Sequence, residues 1–168
     1  QGNEQPGTID QAGAQLAYLM IPKPRHFDDL KRAADTIDQL STQAGLQRAI
    51  PLHALVETHG ALRDVFQMAA HPRIESLSFG LMDFVSAHRG AIPQSAMGSQ
   101  GQFEHPLVLR AKLEVSAAAH AYGKTPSHCV VTEFRDRERL AAAAHRAARE
   151  LGYTRMWSIH PDQIRPIV

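Results

Sequence analysis

Two carboxylates stand at the ends of short apolar runs in this 168-residue chain: Glu57 after residues 50–56, and Asp83 after residues 74–79 and Gly80-Leu81-Met82. If the runs are neighbouring parallel strands, both side chains arrive at the same rim of the sheet. There they repel each other unless a cation sits between them. Carboxylate oxygens with room for water suit Mg²⁺, which keeps several waters and takes one or two protein carboxylates. Each acid taken singly also fits a helix N-cap or a first-turn position favoured by the helix dipole. Three other runs end in Lys23, in Thr132-Glu133 and in His160. Glu133, followed by Arg135-Asp136-Arg137, reads as a solvated helix start, and Lys23 as a structural or electrostatic residue at a strand end. The ten histidines lack H-x-H and H-E-x-x-H spacing, so zinc is disfavoured, and His59, His71, His120 and His145 read as surface or packing residues. Cys129 lies inside an apolar run and reads as a small core residue. No G-x-S-x-G elbow offers a serine nucleophile.

The elements that must carry these residues alternate regularly. Short, largely apolar runs at 16–21, 50–56 (apolar except for His53), 74–79, 127–131 and 156–159 read as strands buried in a sheet covered by helices. Helical spacing predicts helices over 26–44, 59–70, 106–122 and 136–151, with Gly45, Gly123 and Gly152 as C-terminal stops. Strand-then-helix units in series imply parallel strands joined by right-handed crossovers. No dinucleotide G-x-G-x-x-G follows the first strand and no phosphate-binding G-x-x-x-x-G-K-[ST] is present, which disfavours the nucleotide-binding versions of this architecture. A (β/α)₈ barrel is the alternative; it needs eight units and about 250 residues, so five units make an incomplete barrel. Residues 88–105, rich in Gly and without periodicity, form a loop of a length that is usually functional or disordered.

Composition narrows the class further. A net charge of +1, with basic residues spread along the chain, gives no nucleic-acid surface. One cysteine precludes an internal disulfide, and no run is long enough to span a bilayer. The expectation is a cytoplasmic protein with no membrane partner, in one domain over 1–168. The chain starts at Gln1 rather than Met, which reads as a piece of a longer protein.

Leu-Val-Glu-Thr at 55–58, His-Pro-Arg-Ile-Glu-Ser-Leu-Ser-Phe-Gly-Leu-Met-Asp at 71–83 and Trp-Ser-Ile-His-Pro-Asp-Gln-Ile at 157–164 occur in this order, separated by helices. With Met-Ile-Pro-Lys-Pro at 20–24, they resemble the citrate lyase β-subunit-like enzymes of the HpcH/HpaI aldolase superfamily, which includes malyl-CoA and citramalyl-CoA lyases. The resemblance runs from about residue 14 to 168. It implies a (β/α)₈ TIM-barrel fold whose fourth to eighth strands are present here. It also implies Mg²⁺ held by Glu57 and Asp83, and backbone amides of Gly80, Leu81 and Met82 facing the substrate carboxylate. The expected reaction is cleavage of a citryl-, malyl- or citramalyl-CoA-like 3-hydroxyacyl-CoA thioester to an acyl-CoA and an α-keto acid. An assembly of three or six copies is implied as well. Two departures accompany the resemblance. Met82 stands where the family often has Glu, and the family's substrate-binding arginine and acidic lid residue fall outside this chain, which leaves the catalytic residues unassigned. A CoA-independent, pyruvate-forming class II aldolase of 4-hydroxy-2-keto acids and a non-catalytic family member are the alternatives.

Overall fold

The protein, seen in a computed structural model, is described at residue 9 and residues 12–168. Five strands form one sheet: β1 (Leu19–Ile21), β2 (Leu52–Val56), β3 (Ile74–Phe79), β4 (Thr125–His128) and β5 (Arg155–Met156). They lie side by side in sequence order, and every neighbouring pair is parallel. A doubly wound sheet would reverse its strand order partway. An order that only advances, with each crossover returning over the same face, belongs to a barrel. The chain therefore holds five of the eight units of a (β/α)₈ barrel.

Helix α1 (Phe27–Gln43) joins β1 to β2, with Asp28 and Asp29 in its first turn and Leu30 and Ala34 buried. It ends at Gly45, whose φ of +69° suits a residue without Cβ. Between β2 and β3 the expected single helix over 59–70 is two short ones, α2 (His59–Arg63) and α3 (Val65–Ala70). The break falls at Asp64, whose carboxylate takes Arg63 and the Phe27 N–H (3.0 Å) and so ties the start of α1 to this connection. Helix α4 (Leu81–Ala87), which residue spacing did not predict, follows β3 directly. Helix α5 (Pro106–Ala121) has Pro at its first turn and buries Val108, Ala111, Lys112, Val115 and Ala119 at helical spacing. Helix α6 (Arg137–Arg149) is capped by Asp136, which accepts the Arg139 N–H at 3.0 Å, and a final turn, α7, spans Ile164–Ile167. No helix among the described residues is long and apolar enough to cross a membrane.

The strand period of two sorts side chains between the faces. Leu52, Ala54 and Val56 of β2 pack outward with Leu77 and Phe79 of β3 in the main apolar core, against Leu30, Met68, Val108 and Val115. The opposite, inner face is polar at its base. There His53 sits between the hydroxyls of Ser76 (2.6 Å) and Ser78 (2.7 Å), and Arg155 of β5 reaches Glu75 and Ser76 of β3. His53 is 1% exposed, and burial with the nearby Arg155 lowers its pKa to about 4.

Three expectations about the strands are corrected. The run 16–21 yields a strand only from Leu19, because the Leu16 carbonyl is taken by the Arg48 guanidinium. Tyr18 and Met20 are exposed, so β1 is not covered on both faces. The fourth and fifth strands are shorter and begin earlier than 127–131 and 156–159. Only Ser127↔Arg155 and His128↔Met156 are in register, and after Trp157 donates to the His128 carbonyl the chain turns away.

Candidate metal and substrate site

Glu57 and Asp83 meet at the C-terminal rim of β2 and β3. Glu57 follows Val56 directly, and the Gly80 N–H donates to the Val56 carbonyl (2.8 Å), which fixes the two strand ends side by side. Gly80 has an ordinary φ of −92°, so its small size answers to space rather than to backbone freedom. A Cβ there would come within 2.5 Å of Glu57 Oε2 and nearer still to Glu57 Cβ. Its absence lets the Glu57 side chain lie across the end of β3 toward Asp83, in the first turn of α4.

Burial, then the hydrogen-bonding and charge influence of the neighbouring Asp83 carboxyl, raises the Glu57 pKa to about 6. Asp83 moves the other way, below the usual carboxylate range, chiefly through its hydrogen bond to Lys23. The split is that of two acids sharing a site, one retaining its proton more readily than the other. A cation placed against both would relieve the pair.

Lys23 is the residue that sequence reasoning undervalued. Its backbone N–H donates to Glu57 Oε1 (3.0 Å) and its ammonium to Asp83 Oδ1 (2.8 Å), so one residue contacts both acids. Its φ of +50° is in the left-handed region, an uncommon place for a side chain with a Cβ. The turn that carries it is anchored next to the site. Thr58 caps α2 by accepting the Ala61 N–H (3.0 Å), and its hydroxyl donates to the Pro24 carbonyl (2.7 Å). Gly60 leaves the room that the Arg25 carbonyl occupies. The signals in the sequence were Lys23 standing at a strand end, which reads as a structural or electrostatic residue, and its place in the Met-Ile-Pro-Lys-Pro segment.

The acids open onto a cavity of about 170 Å³ lined by Leu55, Glu57, Gly80, Leu81, Met82, Asp83, Cys129, Val130 and Trp157. The first N–H groups of a helix have no intrahelical acceptor, and Leu81 and Met82 begin α4 at this cavity. Behind the cavity wall lies a buried polar cluster that sequence reasoning did not foresee. Lys112 Nζ donates to Gln102 Oε1 (2.7 Å) and lies 2.9 Å from His128 Nε2; Cys129 Sγ donates to the same Gln102 oxygen. His128 Nδ1 lies 2.9 Å from the Cys129 carbonyl, so the neutral ring donates there and accepts from Lys112. Burial lowers Lys112 to about 8 and keeps His128 neutral, and it raises Cys129, which disposes the thiol against acting as a nucleophile.

Other sequence candidates are elsewhere. Glu133 accepts the Ser99 N–H (2.9 Å) and so ties down the loop 88–105 rather than facing solvent as a helix start. That loop is packed, with Ile92, Ala96, Gln102 and Phe103 buried, and contains short 3₁₀ turns at Gln94–Met97 and Gly101–Phe103. None of its residues lines the cavity at Glu57 and Asp83. His160 caps a 3₁₀ turn, and Gln163 accepts the N–H groups of Ile159 and His160 while donating to the Val131 carbonyl (2.7 Å). Among the described residues no three His, Cys, Asp or Glu side chains gather as a metal cluster. Two carboxylates with an open side nonetheless fit Mg²⁺, whose remaining positions are filled by water and ligand oxygens.

A partial (β/α)₈ barrel with a pair of acids at the C-terminal rim of adjacent strands belongs to a class of enzyme scaffold whose active sites sit at that face. The chain belongs to the HpcH/HpaI aldolase/citrate lyase family, whose model matches residues 2–161. A solved structure of the Mycobacterium tuberculosis protein CitE in complex with magnesium and acetoacetate is 23% identical, with a TM-score of 0.70, over 93% of this chain and 57% of that one. A solved citrate lyase from Burkholderia xenovorans LB400 is 59% identical, with a TM-score of 0.89, over 90% of this chain and 47% of that one. An L-malyl-CoA/beta-methylmalyl-CoA lyase of Cereibacter sphaeroides is 25% identical over 93% of this chain and 52% of its own length. A (3S)-malyl-CoA thioesterase of the same species is 30% identical over 91% of this chain and 47% of its own. The chain thus spans about half the length of the curated relatives it matches.

Proposed function

We propose that this chain supplies the Mg²⁺ site of a carbon–carbon lyase that cleaves a 3-hydroxyacyl-CoA of the malyl-, citramalyl- or citryl-CoA type into an acyl-CoA and an α-keto acid. The observation that carries this reading is the convergence of Glu57 and Asp83, from consecutive strand ends, on one open cavity. Glu57 and Asp83 would hold the ion, which supplies Lewis-acid polarisation of the hydroxyl and carboxylate of the substrate. The N–H groups of Leu81 and Met82, beside the residue-80 position that has no side chain, receive the acid's carboxylate. The cavity is well below the 300–1,000 Å³ of sites that enclose a drug-sized ligand, which suits a small keto acid with the CoA lying outside. Leu55, Val130 and Trp157 make its walls apolar, which strengthens the electrostatic contacts inside.

A second reading has its own support, since one relative is named as a malyl-CoA thioesterase. The full-length protein incubated with malyl-CoA and Mg²⁺ separates the two. A lyase releases glyoxylate and no free thiol, whereas a thioesterase releases malate and CoA thiol. Pyruvate from a CoA-free 4-hydroxy-2-keto acid would select the aldolase branch instead. Retention of full activity by Asp83→Asn would remove the metal-pair assignment in all three cases.

A further inference from the structure

Lys23 is placed as no ordinary surface lysine would be. Its backbone adopts the left-handed conformation, at φ +50°, where glycine or asparagine is the usual choice. That conformation points the N–H at Glu57 Oε1 while the side chain crosses to Asp83, 60 residues away in sequence. The two contacts differ in kind. The N–H is fixed by the main chain, which Thr58 and Asp64 hold through the Pro24 carbonyl and the Phe27 N–H. The ammonium hangs on four methylenes, and both it and the Asp83 carboxylate are about half exposed, at 61% and 48%. It can leave for water at little desolvation cost.

From this we infer that Lys23 is a built-in counter-cation: its ammonium neutralises the Glu57/Asp83 pair before the metal arrives and is displaced from Asp83 when the metal binds. The inference rests on the reading of that pair as the metal site. The physical ground is that the ammonium on Asp83 Oδ1 and a divalent ion would compete for the same carboxylate and repel each other. The backbone N–H meanwhile remains on Glu57 in both states. Lys23 is thus a positioning residue: the main chain aims one acid, and the side chain holds the other only until the ion replaces it.

The test is Mg²⁺ titration by calorimetry at constant ionic strength on the full-length protein, comparing wild type with Lys23→Met and Lys23→Gly. Both variants retain the N–H and lack the ammonium, and glycine also relieves the left-handed backbone. Both should bind Mg²⁺ about three- to fivefold more tightly, the range that an exposed ion pair supports. Thermal melts give an independent readout. Without metal Lys23→Met should melt below wild type, and at saturating Mg²⁺ the difference should close. Equal or weaker Mg²⁺ binding by both variants overturns the role of Lys23. Mg²⁺ binding that survives in Asp83→Asn is a different result: it overturns the metal-site reading itself, and the counter-cation role with it.

Discussion

Replacing Gly80 with alanine tests whether the absence of one methyl group shapes the site. The added Cβ would stand 2.5 Å from Glu57 Oε2 and 3.2 Å from its Cδ, with Glu57 Cβ closer than either. Ordinary contacts are about 3.5–4.0 Å, so a movement of about 1 Å is needed. The carboxylate can swing, but Glu57 Cβ is set by the β2 main chain, which the Gly80 N–H bond to Val56 holds in place. The strand ends must therefore part. Overpacking of this kind costs about 1–3 kcal/mol. Alanine at an unstrained φ of −92° gives back about 0.4–1 kcal/mol through the unfolded chain, too little to cancel the larger part of that range. A chain of this size loses about 2–4 °C in Tm per kcal/mol. Gly80→Ala should melt several degrees below wild type, and Mg²⁺ binding should weaken by ~10-fold or more, because metal ligands tolerate only about 0.2 Å of misplacement. Differential scanning calorimetry and Mg²⁺ titration read the two effects. An alanine variant that melts with wild type and binds Mg²⁺ equally well would refute the claim that Glu57 is held against Gly80.

Two further outcomes follow from buried polar groups on either side of the site. His53 has a folded pKa of about 4 against 6.5 when free, so the unfolded chain binds its proton first. The stability tied to its neutral form is complete above pH 6.5 and is lost as pH falls toward 4, by ~2 kcal/mol between pH 7 and pH 5. Denaturant midpoints should fall over that interval in wild type, and fall clearly less in His53→Gln. Gln163 is wholly buried and makes three hydrogen bonds to main chain. Gln163→Ala leaves the Val131 carbonyl and two N–H groups without partners and should cost about 2–4 kcal/mol, measured by urea unfolding with the melting of wild type as reference.

A parallel α/β fold was legible because five short, largely apolar runs alternate with helical spacing and each ends next to a turn signal; the barrel itself came with the family resemblance. Glu57 was placed by the end of its strand, whereas Asp83 reaches the same rim from the first turn of α4, and the metal role of the two is the proposal made above. Helix α4 was hidden because Leu81–Ala87 is too short to display a period. The break at Asp64 was hidden because its cause is the Phe27 N–H, 37 residues back in the chain. Lys23 and the Lys112–Gln102–His128 cluster share that invisibility. Lysines at a strand end or on a helix look solvated until tertiary contacts bring Asp83 to one and bury the other at 0% exposure. Spacing along one segment says nothing about partners that another segment supplies.

The Ile-His-Pro-Asp-Gln-Ile segment was the most distinctive pattern in the chain, and its side chains act on the main chain. His160 caps a turn, and Gln163 stitches that turn to Val131, in the segment that follows β4. A pattern search built on those six residues will therefore gather chains that close this part of a barrel in the same way, active or not. If the proposed metal pair is right, sorting catalysts from relatives that only share the scaffold calls for a different filter: an acid at position 57, an acid at position 83, and no side chain at position 80.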